Sequence, residues 1–347
     1  MRCVFIYNPK SGKSGILKRI NYIERELTKI YGEVDIKPTQ YPGHAKLIAR
    51  EACGVYDYLV VSGGDGTFNE IVNGIAEQEH APIIGYLPSG TVNDISRSLK
   101  ISRNLKKGIA NLRNNLIYNH DIFKVNDKYG IYFCGVGAFT SSSYDTDQKN
   151  KKKLGKIAYF FNGMKELFNV DDFNIKIFDD NGVITKGKYI MMLIVNSRSV
   201  AGFKLNRYAD LNDGNVDIIL IKRNNKFTNY MSSLFAMAGI FLFGIKRLKN
   251  SANITKLSLD EFKIAISKKK TINIDGERGF EGDAEFKVIN KGLKVVVPFA
   301  TIKAQSKTKL KNRIEEQREL EKSILKVQEQ DYRARLKKQK AKNKSGK

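Results

Sequence analysis

Cysteine and histidine are scarce in this chain. Its three cysteines, Cys3, Cys53 and Cys134, are scattered and odd in number, which excludes a disulfide framework and offers no zinc-ligand spacing. His44, His80 and His120 stand too far apart for a histidine metal cluster. Acidic residues are outnumbered, 36 against 61 lysines and arginines, and a formal net charge of +25 calls for an acidic partner: anionic lipid headgroups or nucleic acid. No signal-peptide pattern follows Arg2, where the chain enters a strand at once. Long apolar runs are also missing, with one near exception. Residues 227–245 are uncharged but carry Thr228, Asn229, Tyr230, Ser232, Ser233 and two glycines. A spanning helix there would split the strand-rich half around it, so a packed helix is expected.

What the chain does carry is a set of strand-to-helix turns. An apolar run ending at Val61 reads as a buried strand; Gly63, Gly64 and Gly66 let the backbone turn, and a helical pattern of Ile71, Val72 and Ile75 begins at once. Such a turn aims unpaired N–H groups and the positive end of a helix dipole at one point, which suits phosphate. Asp65 adds an acid where a hydrated Mg2+ on the phosphates would sit. Taken alone, this segment is equally a plain βα connection. Two more loops repeat the theme: Asn8-Pro9-Lys10-Ser11-Gly12 after Val4–Tyr7, and Pro88-Ser89-Gly90-Thr91 after Ile83–Leu87. Three turns at successive strand ends would converge on the crevice where open α/β sheets bind ligands. Gly12-Lys13-Ser14 is not a P-loop, because the first glycine of that motif would fall on Tyr7.

β and α patterns alternate to about residue 118, and the rest is strand-rich, with short strands expected at 121–125, 130–135, 188–195, 216–221, 257–259, 262–266, 271–274 and 293–297. This predicts an α/β nucleotide-binding domain over 1–118 and a β-sandwich-like domain over 119–302, with the cleft between them. Residues 151–168 read as a basic lead-in to an aromatic-rich helix. Residues 303–347 read as a basic, partly helical tail suited to anchoring on anionic membrane. Thr271-Ile-Asn-Ile-Asp-Gly-Glu277 puts an acid just past a strand end, where a carboxylate reaches a cleft, though taken alone a plain acidic turn is the commoner reading. Tyr208–Asn215 is an oxygen-rich loop of the kind a hard cation prefers.

Taken in order, five segments resemble the diacylglycerol-kinase-type lipid kinases, relatives of sphingosine and ceramide kinases. They are Asn8–Gly12, Gly63–Thr67 with Asn69-Glu70, Leu87–Thr91 with Asn93-Asp94, Leu211–Gly214, and Asp275-Gly276-Glu277. The first domain would then be similar to that of NAD kinases and phosphofructokinases. The resemblance implies ATP lying across Asn8, Pro9, Lys10, Ser11, Gly12, Thr39, Gly64, Asp65, Gly66, Thr67, Phe68, Asn69, Glu70 and Thr91. It implies Glu277 as general base supported by Asp275, Asp65 and Asp94 holding Mg2+ through water, and Asp121 in a Mg2+–water network. A structural Mg2+ would rest on the Asp213 carboxylate and the carbonyls of Asp210 and Asn215, with Asn212 standing where the family usually has Asp. The expected protein is a cytoplasmic kinase, peripheral to the inner membrane face, turning diacylglycerol into phosphatidic acid. A sphingoid base, ceramide or undecaprenol is the alternative acceptor, and homodimers are common in the family. Nucleic acid is disfavoured as a partner. The non-enzyme alternative is an ATP-binding protein of the membrane surface or of nucleic acid.

Overall fold

The computed structural model describes residues 1–11, 15–137, 172–222, 253–267, 270–314 and 317–318, with the single residues Gly239 and Gly244. The segments expected as helices over 151–168 and 227–245, those two glycines apart, lie outside the described residues, as do Gly12 and most of the tail. Residues 1–301 form one compact unit and 302–347 a second, which is helical over 302–314.

The first part of the large unit alternates strand and helix. β1 (Arg2–Tyr7), α1 (Ile20–Tyr31), β2 (Glu33–Pro38), α2 (His44–Ala52), β3 (Tyr58–Gly63), α3 (Asp65–Ile75), β4 (Ile83–Pro88), α4 (Asp94–Ser98) and α5 (Leu105–Asn114) follow in order. The four strands are parallel in the order β2-β1-β3-β4. β3 is buried at all six positions, as its unbroken apolar run requires of a strand covered on both faces. α1 and α5 pack Ile23, Leu27, Tyr31, Ile109 and Leu112 onto Phe5 and Val60, while α2 and α3 pack together. Order 2-1-3-4 reverses direction between β1 and β3, so the carboxyl ends of these two strands open the crevice.

The second part is antiparallel: β5 (Ile117–Val125), β6 (Lys128–Gly130), β7 (Phe133–Gly137), β8 (Phe173–Asp179), β9 (Gly182–Val195), β10 (Val216–Lys222), β11 (Ile254–Leu259), β12 (Glu261–Ile266), β13 (Thr271–Ile274), β14 (Glu277–Glu281) and β15 (Ala284–Val296). Each expected strand has a counterpart, except that 130–135 is broken by a bend at Ile131 and Tyr132 between β6 and β7; β8 and β14 are additional. Strands β5, β7, β8, β9, β10, β12, β13 and β15 turn their apolar faces onto one core, in which Phe262, Phe286 and Phe123 stack at 4.7 and 4.9 Å. β15 joins the two parts. It pairs antiparallel with β12 and β5, then parallel with β4 through Val295 and Ile84. The sheet is therefore continuous across residue 118. No helix among the described residues is long and apolar enough to cross a membrane.

Candidate active site

The loops leaving β1, β3 and β4 meet, as the sequence predicts. Asn8 N–H donates to Ser62 O at 2.9 Å, and the Asn8 amide to Thr67 Oγ1 at 3.3 Å. Lys10 N–H returns to Asn8 Oδ1 at 2.9 Å, while Ser89 Oγ donates to Ser11 Oγ at 3.1 Å. Thr39 is joined to the group through its N–H on Tyr7 O at 2.9 Å. Pro9 has no backbone N–H to satisfy in this loop.

The glycines are required here for space and not for a left-handed turn. Gly64 is extended, at φ −92° and ψ −172°, and neither Gly63 nor Gly66 has positive φ. A Cβ on Gly90 would stand 2.5 Å from Gly64 Cα, so the β3 and β4 loops pass in backbone contact. Gly90→Ala is expected to force them apart, destabilising the fold by roughly 1–3 kcal/mol, the usual cost of overpacking, and weakening nucleotide binding. A thermal melt and a nucleotide titration check this. No side chain caps α3 at Gly64, which leaves its first N–H groups, from Asp65 to Thr67, to face a ligand. Phe68 is buried behind them against Tyr86.

Four carboxylates gather at this helix end. Glu277, at the start of β14, has Oε1 3.1 Å from where a Cβ on Gly66 would lie. Asp65 accepts from Ile95 N–H at 3.3 Å, and its carboxyl is pushed up by burial and then by Asp94. Asp94 is buried and accepts from Ser199 Oγ at 2.7 Å and Gly202 N–H at 2.8 Å. Asp275, buried and at φ +52°, sits in a cage of donors: Ile131 N–H at 2.7 Å, Tyr132 and Phe133 N–H at 3.0 Å, and the Asn69 amide at 2.7 Å. Burial pushes its carboxyl up to about 7 against the pull of those hydrogen bonds. Every partner is a donor, so the ionised form is the one the cage fits. The Tyr132 hydroxyl donates to Asp275 O at 2.7 Å, and its phenol is pushed far up by burial and then by Asp275, Asp65, Asp94 and Glu277. One buried ring thus feels all four acids.

Other candidates have hydrogen bonds of their own. Glu70 Oε2 accepts from Ala45 N–H at 3.1 Å and so caps α2. Thr91 O accepts from the Arg103 guanidinium at 3.4 Å. Asp121 holds the loop after Leu211 and the β15 bulge, accepting from Gly214 N–H at 2.7 Å and Lys291 N–H at 2.6 Å. It therefore groups with Asp210 and Asp213 rather than with Glu277. The Asp213 carboxyl is pushed up to about 7 by burial, against Asn215 N–H, with Asp210, Asp217 and Asp121 adding repulsion. No cluster of three or more His, Cys, Asp or Glu in metal-holding geometry occurs among the described residues. The sequence reading missed Asn73, Tyr132, Asn273 and Ser199. Asn73 bonds Asn69 and Tyr129 O, and Asn273 Oδ1 accepts from Gly276 N–H at 2.9 Å. Tyr132 and Ser199 carry no local signal, because their partners Asp275 and Asp94 come from distant segments, whereas Asn73 and Asn273 also bond within four residues of themselves.

Comparison with known proteins supports one family. The diacylglycerol kinase catalytic domain matches residues 2–125. The chain is 32% identical over 300 residues to the diacylglycerol kinase of Bacillus subtilis (strain 168), across 86% of this chain and 96% of that protein. It is 31% identical over 299 residues to the diacylglycerol kinase of Staphylococcus carnosus (strain TM300), across 86% and 95%. A crystal structure of a diacylglycerol kinase from Bacillus anthracis str. Sterne matches with TM-score 0.72 and 23% identity, over 86% of this chain and 98% of that one, a likeness of fold.

Proposed function

The chain belongs to the diacylglycerol kinase family, and from that premise we infer how it moves the γ-phosphoryl group of ATP to the free hydroxyl of diacylglycerol, giving phosphatidic acid and ADP. The observation that carries the mechanism is the Glu277 carboxylate beside Gly66, at the amino end of α3. A phosphate on that helix end would have a base within reach of the attacking hydroxyl. Glu277 takes the hydroxyl proton as the lipid oxygen bonds to the γ-phosphorus and the bond to the ADP oxygen breaks. Asn8–Gly12, Thr39, Gly64–Glu70 and Thr91 hold the nucleotide, while Asp275 fixes the turn that presents Glu277. In this reading residues 1–118 carry the nucleotide, 119–302 the lipid, and 303–347 form a basic tail.

The donor set fits Mg2+. Asp65 and Asp94 repel one another, and these two carboxylates would hold a cation that relieves this. When bound, that ion neutralises charge on the phosphate oxygens. Asp213 with the carbonyls of Asp210 and Asn215 offers hard oxygen ligands for a second ion, beside Asp121, and the mutual repulsion of these acids supports it. The charge of +25 supports peripheral attachment to the anionic inner face of the membrane.

The direct test is transfer of labelled γ-phosphate from ATP to a mixed lipid extract in anionic micelles, with and without a chelator. Labelled phosphatidic acid is expected only with the metal present. Another labelled phospholipid would move the acceptor to a different lipid alcohol, and ATP binding without lipid product would sink the reading.

Glu277 works only when ionised. Its carboxyl is pushed up by partial burial and then by Glu70, against Lys128. Activity should therefore fade, as pH falls, at a higher pH than the value of about 4.3 for an ordinary glutamate would give. Glu70→Gln keeps an acceptor for Ala45 N–H but removes the repulsion, so the acid limb of kcat/KM is expected to move to lower pH. An unmoved limb would show that Glu70 does not act on the base.

A further inference from the structure

α4 is only five residues long, yet a segment of the second part of the unit is built onto it. The chain leaving β9 donates twice to Ser98 Oγ, from Arg198 N–H at 3.1 Å and Ser199 N–H at 3.2 Å. It then gives the Ser199 hydroxyl and Gly202 N–H to one oxygen of Asp94, at 2.7 and 2.8 Å. Val200 and Phe203 close the loop with a pair of backbone hydrogen bonds at 3.0 and 2.9 Å. Inside it, Ala201 and Gly202 are both left-handed, at φ +51° and +77°. For alanine this conformation costs about 1–2 kcal/mol, and it persists only where the surroundings impose it. A turn of this kind directs successive N–H groups at one point and holds an anion. Here the anion is a side chain: the N–H groups of Gly202 and Ala201, after the Ser199 hydroxyl, oppose the upward push of burial on the Asp94 carboxyl.

We propose that Ser199 is a positioning residue for phosphoryl transfer, its hydroxyl and the Ala201–Gly202 backbone locking the Asp94 carboxylate at the edge of the nucleotide site. This rests on the reading of Asp94 as an acid of that site. The geometry of an acid supplied by the α/β part is then set by a loop of the strand-rich part, 105 residues further along the chain. Arg198, whose guanidinium reaches Ser98 O at 3.4 Å, ties the same loop to the end of α4.

The test compares Ser199→Ala, Ser199→Thr and Asp94→Asn in the full chain. Steady-state kinetics are combined with calorimetric titration of ATP in the presence and absence of Mg2+. Ser199→Ala is expected to lower kcat and the affinity for MgATP about tenfold each, the worth of one hydrogen bond to a charged group. Affinity for metal-free ATP and KM for diacylglycerol should stay as in the parent, and Ser199→Thr should restore most of the loss. A merely structural role would lower the melting temperature and disturb all four quantities together, which would overturn the proposal. Should Ser199→Ala not fold, the isosteric pair Ser199→Thr and Ser199→Val poses the same question, and equal MgATP affinity in the two would overturn it. Parent-like Ser199→Ala beside an inactive Asp94→Asn would overturn positioning alone. A parent-like Asp94→Asn would remove the underlying reading and the proposal with it.

Discussion

Glu277→Gln is expected to abolish phosphoryl transfer while leaving the protein folded and able to bind ATP. Removing a general base costs about 10²–10⁴ in rate, and glutamine preserves the shape of the side chain but cannot accept the hydroxyl proton. The fold should tolerate the change because glutamine keeps the shape of a residue that is exposed overall, with its carboxyl end partly covered beside Gly66. The measurement is kcat on diacylglycerol in mixed micelles, set beside ATP affinity by titration and the thermal midpoint. Loss of kcat with unchanged ATP affinity identifies the base. A variant retaining a tenth or more of the parent rate would rule Glu277 out, and Asp65 would become the candidate to test next. Loss of ATP affinity as well would mean that Glu277 helps to hold the nucleotide.

Asp275→Asn should injure the fold itself. Both carboxylate oxygens accept two donors each: Tyr132 and Phe133 N–H on Oδ1, Ile131 N–H and the Asn69 amide on Oδ2. An amide in this place turns one acceptor into an NH2 group facing two buried donors. The Asn69 amide has no easy escape by flipping, because its oxygen already accepts from Asn73 at 2.9 Å. Two buried unsatisfied groups at about 1–3 kcal/mol each suggest a loss of roughly 3–5 kcal/mol, a large part of the total of about 5–15 kcal/mol for a typical domain. Urea denaturation of parent and variant measures it. A difference below about 1 kcal/mol would mean that the four hydrogen bonds do not hold the carboxylate in solution. Activity is expected to fall with stability, since the same carboxylate fixes the turn that carries Glu277.

The three strand-to-helix turns were legible in the sequence because each is a local object. A strand, a few small residues and a helix start lie within about fifteen positions, and the period of apolar residues reports them directly. The strand-rich character of the second part was legible for the same reason, down to both bounds of β13 and the first residue of β10. The role of the glycines was only half legible. Gly64 and Gly90 were read as conformational punctuation, yet they are needed because two loops touch, and no single loop reveals that. Asp121 was expected at a strand start, but β5 begins at Ile117 and carries Asp121 at its middle, where its partners, Gly214 and Lys291, identify it with the loop around Asp213.

By itself, then, the sequence determined the alternation of strand and helix, the three turns suited to phosphate, the basic charge, and the order of motifs that marks the family. All of these follow from residue type and short-range periodicity. Only the tertiary structure decided that Glu277 stands beside Gly66, that Asp275 is caged by residues 131–133 and Asn69, and that Ser199 holds Asp94. The Asp275–Asn69 bond joins residues 206 apart, and the Ser199–Asp94 bond residues 105 apart. Such partners are chosen by strand register and by the closing of β15 onto β4. Register depends on the buried faces of the whole sheet, a property that no short stretch of the chain contains.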